Sequence, residues 1–528
     1  MEAAPKSQST ACSRIRFPLA GALSIVLALA AGLALRLWML GQFFNLYGDP
    51  KIYGDLAKNL LLHGSYARTG SGGELIPSLM RLPGYPLFLA LCFRLFGMEN
   101  YVSAAWVQIG LEMAGCLLLA DFARLIAPAA LRTGVPSDGS LSLGWSTGVP
   151  SDGSLSLGWS TGVPSDGSLS LGWSTGAAHC TLWLAALCPF TAVYAAEPLT
   201  EGPTLFTIAL ALWSMARFRA RPGWLAALGF TFAVTFAAML RPEGALLAVV
   251  LTPALLMGLG RGEGDGAIST KKPAQMAVVC VLLALAPFAA WGWRNWQTFH
   301  IIQPLAPRRA IDPSEIPHPG WERWVKSWCL DFNSTIEVFW KIPGETLEIN
   351  KLPARAFDSP AQYAETARLA ADYNQDQELT PELDARFGKL AGERIAAHPL
   401  RYYLWLPLGR MADMWLRPRV ENLPIDLDWW NYENHDDETC ISWAYVGLNV
   451  LYLLLGVAGM GLRPRFWRPM LAYMLLRSAL LTTITAPEAR YTLECFPMLF
   501  ALGGVALWRG FEKTGVLGKR IARWRFSS

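Results

Sequence analysis

Long apolar stretches recur along the whole chain of 528 residues and constrain its fold more than any other feature. A helix needs roughly 17 to 25 apolar residues to cross a bilayer. Only 16% of the residues are charged, which is too few to solvate soluble domains of this size. The sequence therefore predicts an all-α polytopic membrane protein with about ten transmembrane helices. The stretches are Pro18–Leu40, Val102–Ala123, Ala177–Ala196, Pro203–Ala216, Trp224–Leu240, Ala245–Gly260, Ala274–Trp291, Ile441–Leu462, Pro469–Thr485 and Thr492–Trp508.

The charges between these stretches predict an orientation. With the N-terminus (residues 1–17) in the cytoplasm, the arginine-rich short loops and the basic tail at 509–528 also fall there, as the positive-inside rule requires. Residues 297–440 carry 23 acidic against 15 basic residues, a net charge of −8, and fall outside. The predicted organisation is a transmembrane catalytic module at 18–296 with an outer first loop at 41–101, an external region at 297–440, and C-terminal transmembrane helices at 441–508.

Two further apolar runs are predicted to lie at the outer interface and not to span. Gly84–Gly97 is interrupted by Arg94, and Tyr402–Leu416 carries Arg410 and Asp413. Amphipathic helices of this kind bury one face at the headgroup boundary. Counting either run as a span would invert every later loop.

Residues 133–174 consist of three identical copies of a 14-residue unit that is rich in turn-forming residues. The unit contains almost no charge and no hydrophobic periodicity that stacking repeats would need. We expect a disordered cytoplasmic loop.

The nine cysteines form no disulfide framework and no zinc-ligand spacing. Cys329 and Cys440 both fall in the external region and are the pair that has the opportunity to bond there. The contiguous residues His435-Asp436-Asp437-Glu438 are metal-ligand types without a recognisable spacing, and such runs usually mark a solvated loop. Any metal site therefore stays unknown.

Charged residues collect at the predicted outer ends of the helices, where a charge is costly unless it pairs or binds a ligand. Asp49 lies in the first outer loop at the membrane boundary, where partial desolvation favours a raised pKa and use as a general base. A turn or helix-cap role is the structural alternative. The mid-span Glu112 is expected to make a structural hydrogen bond. The other outer sites are Glu197 with Glu201, Arg241 with Glu243, Arg294, and Glu488 with Arg490.

Two explanations fit these outer charges. Arg241 with Glu243, and Glu488 with Arg490, are each explained by a local ion pair or a snorkelling anchor. Arginines that converge on one face would instead suit a phosphate, because a planar guanidinium binds its oxygens bidentately.

Five short motifs occur in a fixed order along the chain. In this order they resemble the membrane glycosyltransferases of the GT-C fold, above all the bacterial aminoarabinose and galacturonic acid lipid A transferases and the protein mannosyltransferases. One departure is Leu82, where that family usually has a second proline. The motifs are Gly48-Asp49 with Tyr53, Arg81-x-Pro83-Gly84-Tyr85-Pro86, Leu199-Thr200-Glu201, Arg241-Pro242-Glu243-Gly244, and Pro487-x-x-Arg490-Tyr491.

The resemblance implies a GT-C-like bundle that transfers a sugar from a polyprenyl-phosphate donor with inversion. It implies Asp49 as the general base, and Glu201 or Glu197 as a second acid near the acceptor or an optional divalent cation, with no other cofactor required. Four arginines would hold the donor phosphate: Arg81, Arg241, Arg294 and Arg490. Four residues would complete the pocket: Tyr53, Tyr85, Glu243 and Tyr491.

The partners implied are a lipid, glycan or protein acceptor and the membrane lipids, with no nucleic acid. The implied location is a bacterial inner membrane with the site facing outside the cytoplasm. A membrane transporter, an oligosaccharide ligase or polymerase that uses a diphosphate-linked glycan, and a partner-binding membrane protein remain alternatives. Transporters usually bind near the midplane between matching halves, whereas most charges here lie at the outer boundary.

Overall fold

The computed structural model describes residues 16–128, 176–257, 271–307, 311–425 and 436–525. The repeat at 133–174, most of the N-terminal segment and His435 lie outside these residues. Within them the chain is almost entirely helical, with one small antiparallel hairpin of β1 (Ala67–Thr69) and β2 (Leu75–Pro77).

Residues 16–299 contribute ten helices within the described part of the chain. They are α1 (Arg16–Phe43), α2 (Asp49–His63), α3 (Gly84–Phe96), α4 (Tyr101–Ile126), α5 (Gly176–Ala186), α6 (Pro189–Ala196), α7 (Glu201–Ala220), α8 (Trp224–Leu240), α9 (Ala245–Leu256) and α10 (Lys271–Phe299).

Residues 319–525 contribute seven further helices within the described part of the chain. They are α11 (Pro319–Lys326), α12 (Pro360–Asp376), α13 (Pro381–Ala397), α14 (Leu406–Leu416), α15 (Asp436–Gly461), α16 (Trp467–Leu481) and α17 (Phe496–Arg525). Single helical turns occur at Pro242–Gly244, Phe332–Ser334, Thr335–Phe339, Ile349–Lys351, Ala354–Ala356, Arg401–Trp405 and Ala489–Cys495.

Within the described residues, all ten predicted apolar stretches are largely helical, and the all-α membrane class is confirmed. Five helical segments among the described residues are long and apolar enough to cross a bilayer, and a bent pair would make a sixth. The count of ten crossings and the side on which each loop lies stay predictions. The five segments are Gly21–Phe43, Tyr101–Ile126, Gln275–Phe299, Asp436–Gly461 and Ala489–Thr514.

The stretch Ala177–Ala196 is not the single span that the sequence predicts. It forms α5 and α6, which meet at an angle of 54°. Pro189 begins α6 and has no backbone N–H to continue the ladder of α5. The carbonyl groups freed at the end of α5 accept hydrogen bonds from the guanidinium of Arg36, with Nη1 lying 2.7 Å from the oxygen of Ala186. Arg36 of α1 therefore supplies the hydrogen bonds that these carbonyl groups do not form within their own helix.

Arg36 and Glu112 form a fully buried ion pair between α1 and α4. Nε of Arg36 lies 2.7 Å from Oε2 of Glu112, and Nη1 also donates to the Gly32 carbonyl at 2.9 Å. The structural hydrogen bond predicted for Glu112 is confirmed. Every nitrogen of the Arg36 guanidinium has a partner, which offsets a cost of several kcal/mol, about the magnitude expected for an unpaired buried ion. This pair joins α1, α4 and α5.

The external region has its own hydrophobic core. Trp321 and Trp324 of α11 pack against Phe387 of α13, and Trp328, just after α11, packs against Trp324. All four residues are buried. Both predicted interfacial runs form short helices, α3 and α14. Cys329 is buried, whereas Cys440 is exposed at the start of α15, and both are free, so the suggested pairing is not made.

We expect Arg36→Met to lower the free energy of unfolding by about 3–5 kcal/mol, because it leaves the Glu112 carboxylate buried without its cation. The double variant Arg36→Met with Glu112→Leu should recover part of this loss. Unfolding followed in detergent by intrinsic fluorescence measures both. Arg94→Met, which removes an exposed arginine of α3, is the control. A single variant as stable as wild type would contradict the structural role of the pair.

Candidate active site

A cavity of about 990 Å³ opens at one end of the helix bundle. Its walls come from the end of α1, the first residues of α2, the α6–α7 connection and the turn before α17. Residues between Phe332 and Glu345 and between Glu421 and Pro424 supply the remaining wall. The polar and aromatic residues that line it are Asn45, Tyr47, Asp49, Arg81, Tyr194, Glu197, Trp340, Lys341, Glu345, Glu421, Asn422, Glu488 and Arg490.

Asp49 is the first residue of α2 and lies in the cavity wall between two arginines. Gly48 precedes it with φ +73°, a backbone conformation that favours glycine. Oδ1 of Asp49 is 2.7 Å from Nη2 of Arg81, and Oδ2 is 3.5 Å from Nη2 of Arg490. The carboxylate of Asp49 therefore bridges Arg81 and Arg490, and these three residues form an arginine clamp.

The raised pKa expected for Asp49 is wrong. Burial raises the pKa of this carboxyl, but the charges of Arg81, Arg490 and Arg241 together outweigh burial, and the net pKa is lowered. The carboxylate is thus ionised at neutral pH while both arginines face it. Sequence reasoning foresaw the desolvation but had no means of placing the cations.

Arg81 is held in place by the loop that carries the β-hairpin. The carboxylate of Asp312 accepts hydrogen bonds from Ser78 Oγ and from the backbone N–H groups of Leu79 and Met80, at 2.8–3.0 Å. Arg294 donates to the carbonyl oxygens of Ser78 and Tyr66 at 2.8 and 2.6 Å. The structure therefore places Arg294 behind the loop that presents Arg81, and outside the lining of the cavity.

A buried ion-pair network adjoins the clamp and joins the other motifs. Oε1 of Glu201 is 3.0 Å from Nη1 of Arg241 and 3.6 Å from Nη1 of Arg490. Arg241 also pairs with Glu243 at 3.1 Å. Glu488 binds Nε of Arg490 at 2.6 Å. Four of the five outer-boundary sites recognised in the sequence thus converge within one network, which is more than a set of isolated local pairs.

The three predicted pocket tyrosines pack among these charges. Tyr491 lies beneath the guanidinium groups of both Arg241 and Arg490, at 5.1 and 5.5 Å from its ring centre. Tyr53 packs under Arg81 and meets Tyr85 in an edge-to-face arrangement. The rings restrict the arginine side chains to one face, which favours a preorganised cation site.

Glu197 and Glu421 are two further carboxyls of the cavity wall. Burial, followed by the negative charge of Glu201, raises the pKa of Glu197 to about 8, and Nδ2 of Asn422 donates to its Oε1 at 2.9 Å. Burial likewise raises the pKa of Glu421 to about 7. Of the two predicted second acids, Glu197 faces the cavity, whereas Glu201 faces the arginines.

Sequence reasoning missed several residues of this site. Arg477 of α16 lies 2.7 Å from Glu494, and both side chains are buried beside Arg241 and Glu243. A lone arginine or glutamate inside an apolar stretch was the available signal, since such residues are functional candidates by default. Trp340, Lys341 and Asn422 carried no signal because nothing in the sequence brings the external region to the cavity.

No group of three or more histidine, cysteine or acidic side chains suited to a metal ion occurs among the described residues. Glu197 and Glu421 lie in one cavity wall but do not form such a group. The optional divalent cation stays a prediction.

No protein-family model matches the chain, and no curated protein matches it in sequence. Two solved structures are similar to it in shape. One is the archaeal oligosaccharyltransferase AglB from Archaeoglobus fulgidus, determined with an inhibitory peptide and a dolichol-phosphate. It is 9% identical at a TM-score of 0.42, with 96% of this chain covered and 51% of the other. This chain therefore spans about half the length of that enzyme.

The other is apo ArnT from Cupriavidus metallidurans, 16% identical at a TM-score of 0.34, with 93% of this chain covered and 77% of that one. At these scores the likeness identifies no activity. The function must be inferred from the site itself.

We expect Glu197→Gln to flatten the pH dependence of stability. The folded protein holds a proton on Glu197 that the unfolded chain releases near the ordinary glutamate pKa, so wild-type stability should fall as pH rises between about 5 and 8. Thermal unfolding midpoints across this range measure the difference between wild type and variant. Glu99→Gln, an exposed acid paired only with Lys58, is the control. Parallel curves for wild type and Glu197→Gln would contradict the raised pKa.

Proposed function

We propose that this protein is a membrane glycosyltransferase that moves a sugar from a polyprenyl-phosphate donor to an acceptor hydroxyl or amine in the 990 Å³ cavity. The observation that carries the proposal is the clamp of Asp49 between Arg81 and Arg490. A carboxylate and two arginines in one wall provide a proton acceptor and a phosphate-binding site within reach of one substrate.

Donor binding would convert the clamp from a resting ion pair to an active site. A phosphate at Arg81 and Arg490 competes with Asp49 for the same guanidinium groups. Because those cations hold the pKa of Asp49 down, sharing them with a phosphate raises its proton affinity. Base strength would thus increase when the donor is in place.

The transfer itself forms one bond and breaks one. The acceptor heteroatom attacks the anomeric carbon, and the bond from that carbon to the phosphate oxygen breaks with its electron pair on the phosphate. Asp49 takes the acceptor proton, while Arg81 and Arg490 stabilise the charge that develops on the departing polyprenyl phosphate. Attack opposite the leaving group inverts the anomeric centre. Arg241 would act through Glu201 and Tyr491, which position Arg490.

An apolar groove of about 450 Å³ between α3, α8 and α10 provides a place for the lipid chain. Gly84 lies at one end of this groove. A Cβ added to Gly84 would be only 2.5 Å from the Met239 carbonyl oxygen, so the close packing of α3 on α8 requires glycine. Arg81 precedes Gly84 by three residues and Arg241 follows Met239 by two. The groove therefore ends beside the arginine network. Its other lining residues include Leu87, Leu228, Thr231, Phe232, Thr235, Phe236, Leu283 and Pro287.

The transporter alternative finds less support. Its coupling charges would line a path near the middle of the bundle. The mid-helix pair Arg36–Glu112 is instead bonded to helix carbonyls, and Glu112 adjoins a void of only about 10 Å³. The ligase alternative differs in the donor, a diphosphate in place of a monophosphate. Both donor types belong in the first assay.

Asp49→Asn should reduce transfer by about 10²- to 10⁴-fold, the usual contribution of a general base. The measurement is transfer of label from polyprenyl-monophosphate and polyprenyl-diphosphate sugars by purified protein in lipid nanodiscs. Glu99→Gln is the matched control, since this exposed acid lies away from the cavity. Full activity of Asp49→Asn would remove it as the base, and activity with diphosphate donors alone would favour the ligase.

Thr235→Phe should fill part of the groove between α3 and α8 and weaken binding of long-chain donors. We expect KM to rise for a donor of full polyprenyl length and to change little for a short-chain donor with the same head group. Steady-state kinetics with the two donors separate these effects. Leu225→Phe, an exposed position of α8 outside the groove, is the control. Equal KM changes for both donors would exclude the groove as the chain site.

A further inference from the structure

A second, basic pocket of about 580 Å³ lies at the opposite end of the bundle from Asp49. It forms where α4 and α7 end and α8 begins. Helix α7 starts at Glu201 in the ion-pair network and ends at Ala220 beside this pocket. Its 20 residues rise about 1.5 Å each, so roughly 30 Å separates the two sites. The pocket therefore has no part in the transfer proposed above.

Three arginines line this pocket, and only one is neutralised within the described residues. Nη2 of Arg124 lies 2.6 Å from Oδ1 of Asp121, whose other oxygen accepts a hydrogen bond from the indole N–H of Trp213 at 2.8 Å. Arg217 lies over the ring of the same Trp213, 5.4 Å from its centre. Neither Arg217 nor Arg221 has a carboxylate partner in the described part of the chain. Among the residues that the structure describes, the pocket thus presents two guanidinium groups without a carboxylate.

The floor and rim of the pocket are apolar. Leu225 and Ala226 of α8 contribute to its lining, and the side chain of Leu225 is 81% exposed. Trp224, the first residue of α8, is also exposed. Leucine and tryptophan at a helix end are typical of the boundary between hydrocarbon and headgroups. A ligand in this pocket would contact an apolar surface and arginine guanidinium groups at the same time.

From this combination we propose that the pocket binds the phosphate headgroup of an anionic phospholipid of the surrounding bilayer. Arg217 and Arg221 bind the phosphate, and the stacked Trp213 holds Arg217 in one orientation. The acyl chains lie along the exposed surface of α8 beside Leu225. A zwitterionic lipid lacks the net negative charge that two unpaired arginines select. A free phosphate would use the guanidinium groups without the apolar surface.

The test is native mass spectrometry of delipidated full-length protein, equilibrated in detergent with equal amounts of phosphatidylglycerol and phosphatidylcholine. We expect wild type to retain phosphatidylglycerol in preference. Arg217→Gln and Arg221→Gln should each reduce its retention about fivefold, the effect of one arginine at an anionic surface. Adding inorganic phosphate in excess should leave the lipid bound.

Arg468→Gln is the matched control. Arg468 is also an exposed arginine over a tryptophan ring, 5.6 Å from the centre of Trp467, but it lies outside the pocket. Retention of phosphatidylglycerol by this variant should equal that of wild type. Equal retention in all variants, no preference over phosphatidylcholine, or displacement of the lipid by inorganic phosphate would each overturn the proposal. Unfolding midpoints of the variants confirm that binding is compared between folded proteins.

Discussion

Buried arginine is the constraint on which the rest of this structure depends. A guanidinium removed from water costs several kcal/mol, of the order estimated for buried ions, unless anions and carbonyl oxygens surround it. Arg36 and Arg477 are completely buried, and Arg241 nearly so. Each recruits partners from distant parts of the sequence. The cost of leaving these cations unpaired therefore fixes the relative positions of helices whose apolar faces alone would allow sliding.

The two sets of buried charges serve different ends. Arg36 donates hydrogen bonds to Glu112 and to the carbonyl oxygens of Gly32 and Ala186, so its donors are satisfied within the fold. Arg81 and Arg490 both contact the carboxylate of Asp49 at the cavity wall, and Arg490 also pairs with Glu488 and Glu201. In the proposed reaction a donor phosphate competes with Asp49 for these two arginines. A network whose donors are all paired within the fold stabilises helix packing. A network that faces a cavity can exchange a protein carboxylate for the anion of a ligand. The distinction lies in the partners and not in the depth of burial.

The lengths of the apolar stretches and the order of the motifs predicted most of the helices and several of the site residues, because both are local properties of the sequence. Each predicted stretch is helical, and Asp49, Arg81, Glu201, Arg241 and Arg490 come together. Pro189 is a local signal for the bend between α5 and α6 that the sequence analysis did not use. The contact of Arg36 with Ala186 could not be predicted, since the two residues lie about 150 positions apart. The wall formed by Trp340 was missed for the same reason. Arg294 was assigned to phosphate because motif order cannot show that its donors face carbonyl oxygens.

The lowered pKa of Asp49 bears on how such a site avoids acting without a donor. A carboxylate held by two arginines is a weak base, and any acceptor that enters the empty cavity meets a proton acceptor with little affinity. In the proposed reaction, the donor phosphate is the substrate group that would compete with Asp49 for those arginines. In the proposed reaction, placing the base and the phosphate on the same cations would therefore couple proton transfer to donor occupancy without a moving domain. The raised pKa of Glu197, on the other side of the cavity, leaves a neutral carboxyl near Asn422 that can donate a hydrogen bond to an acceptor without adding charge to the clamp.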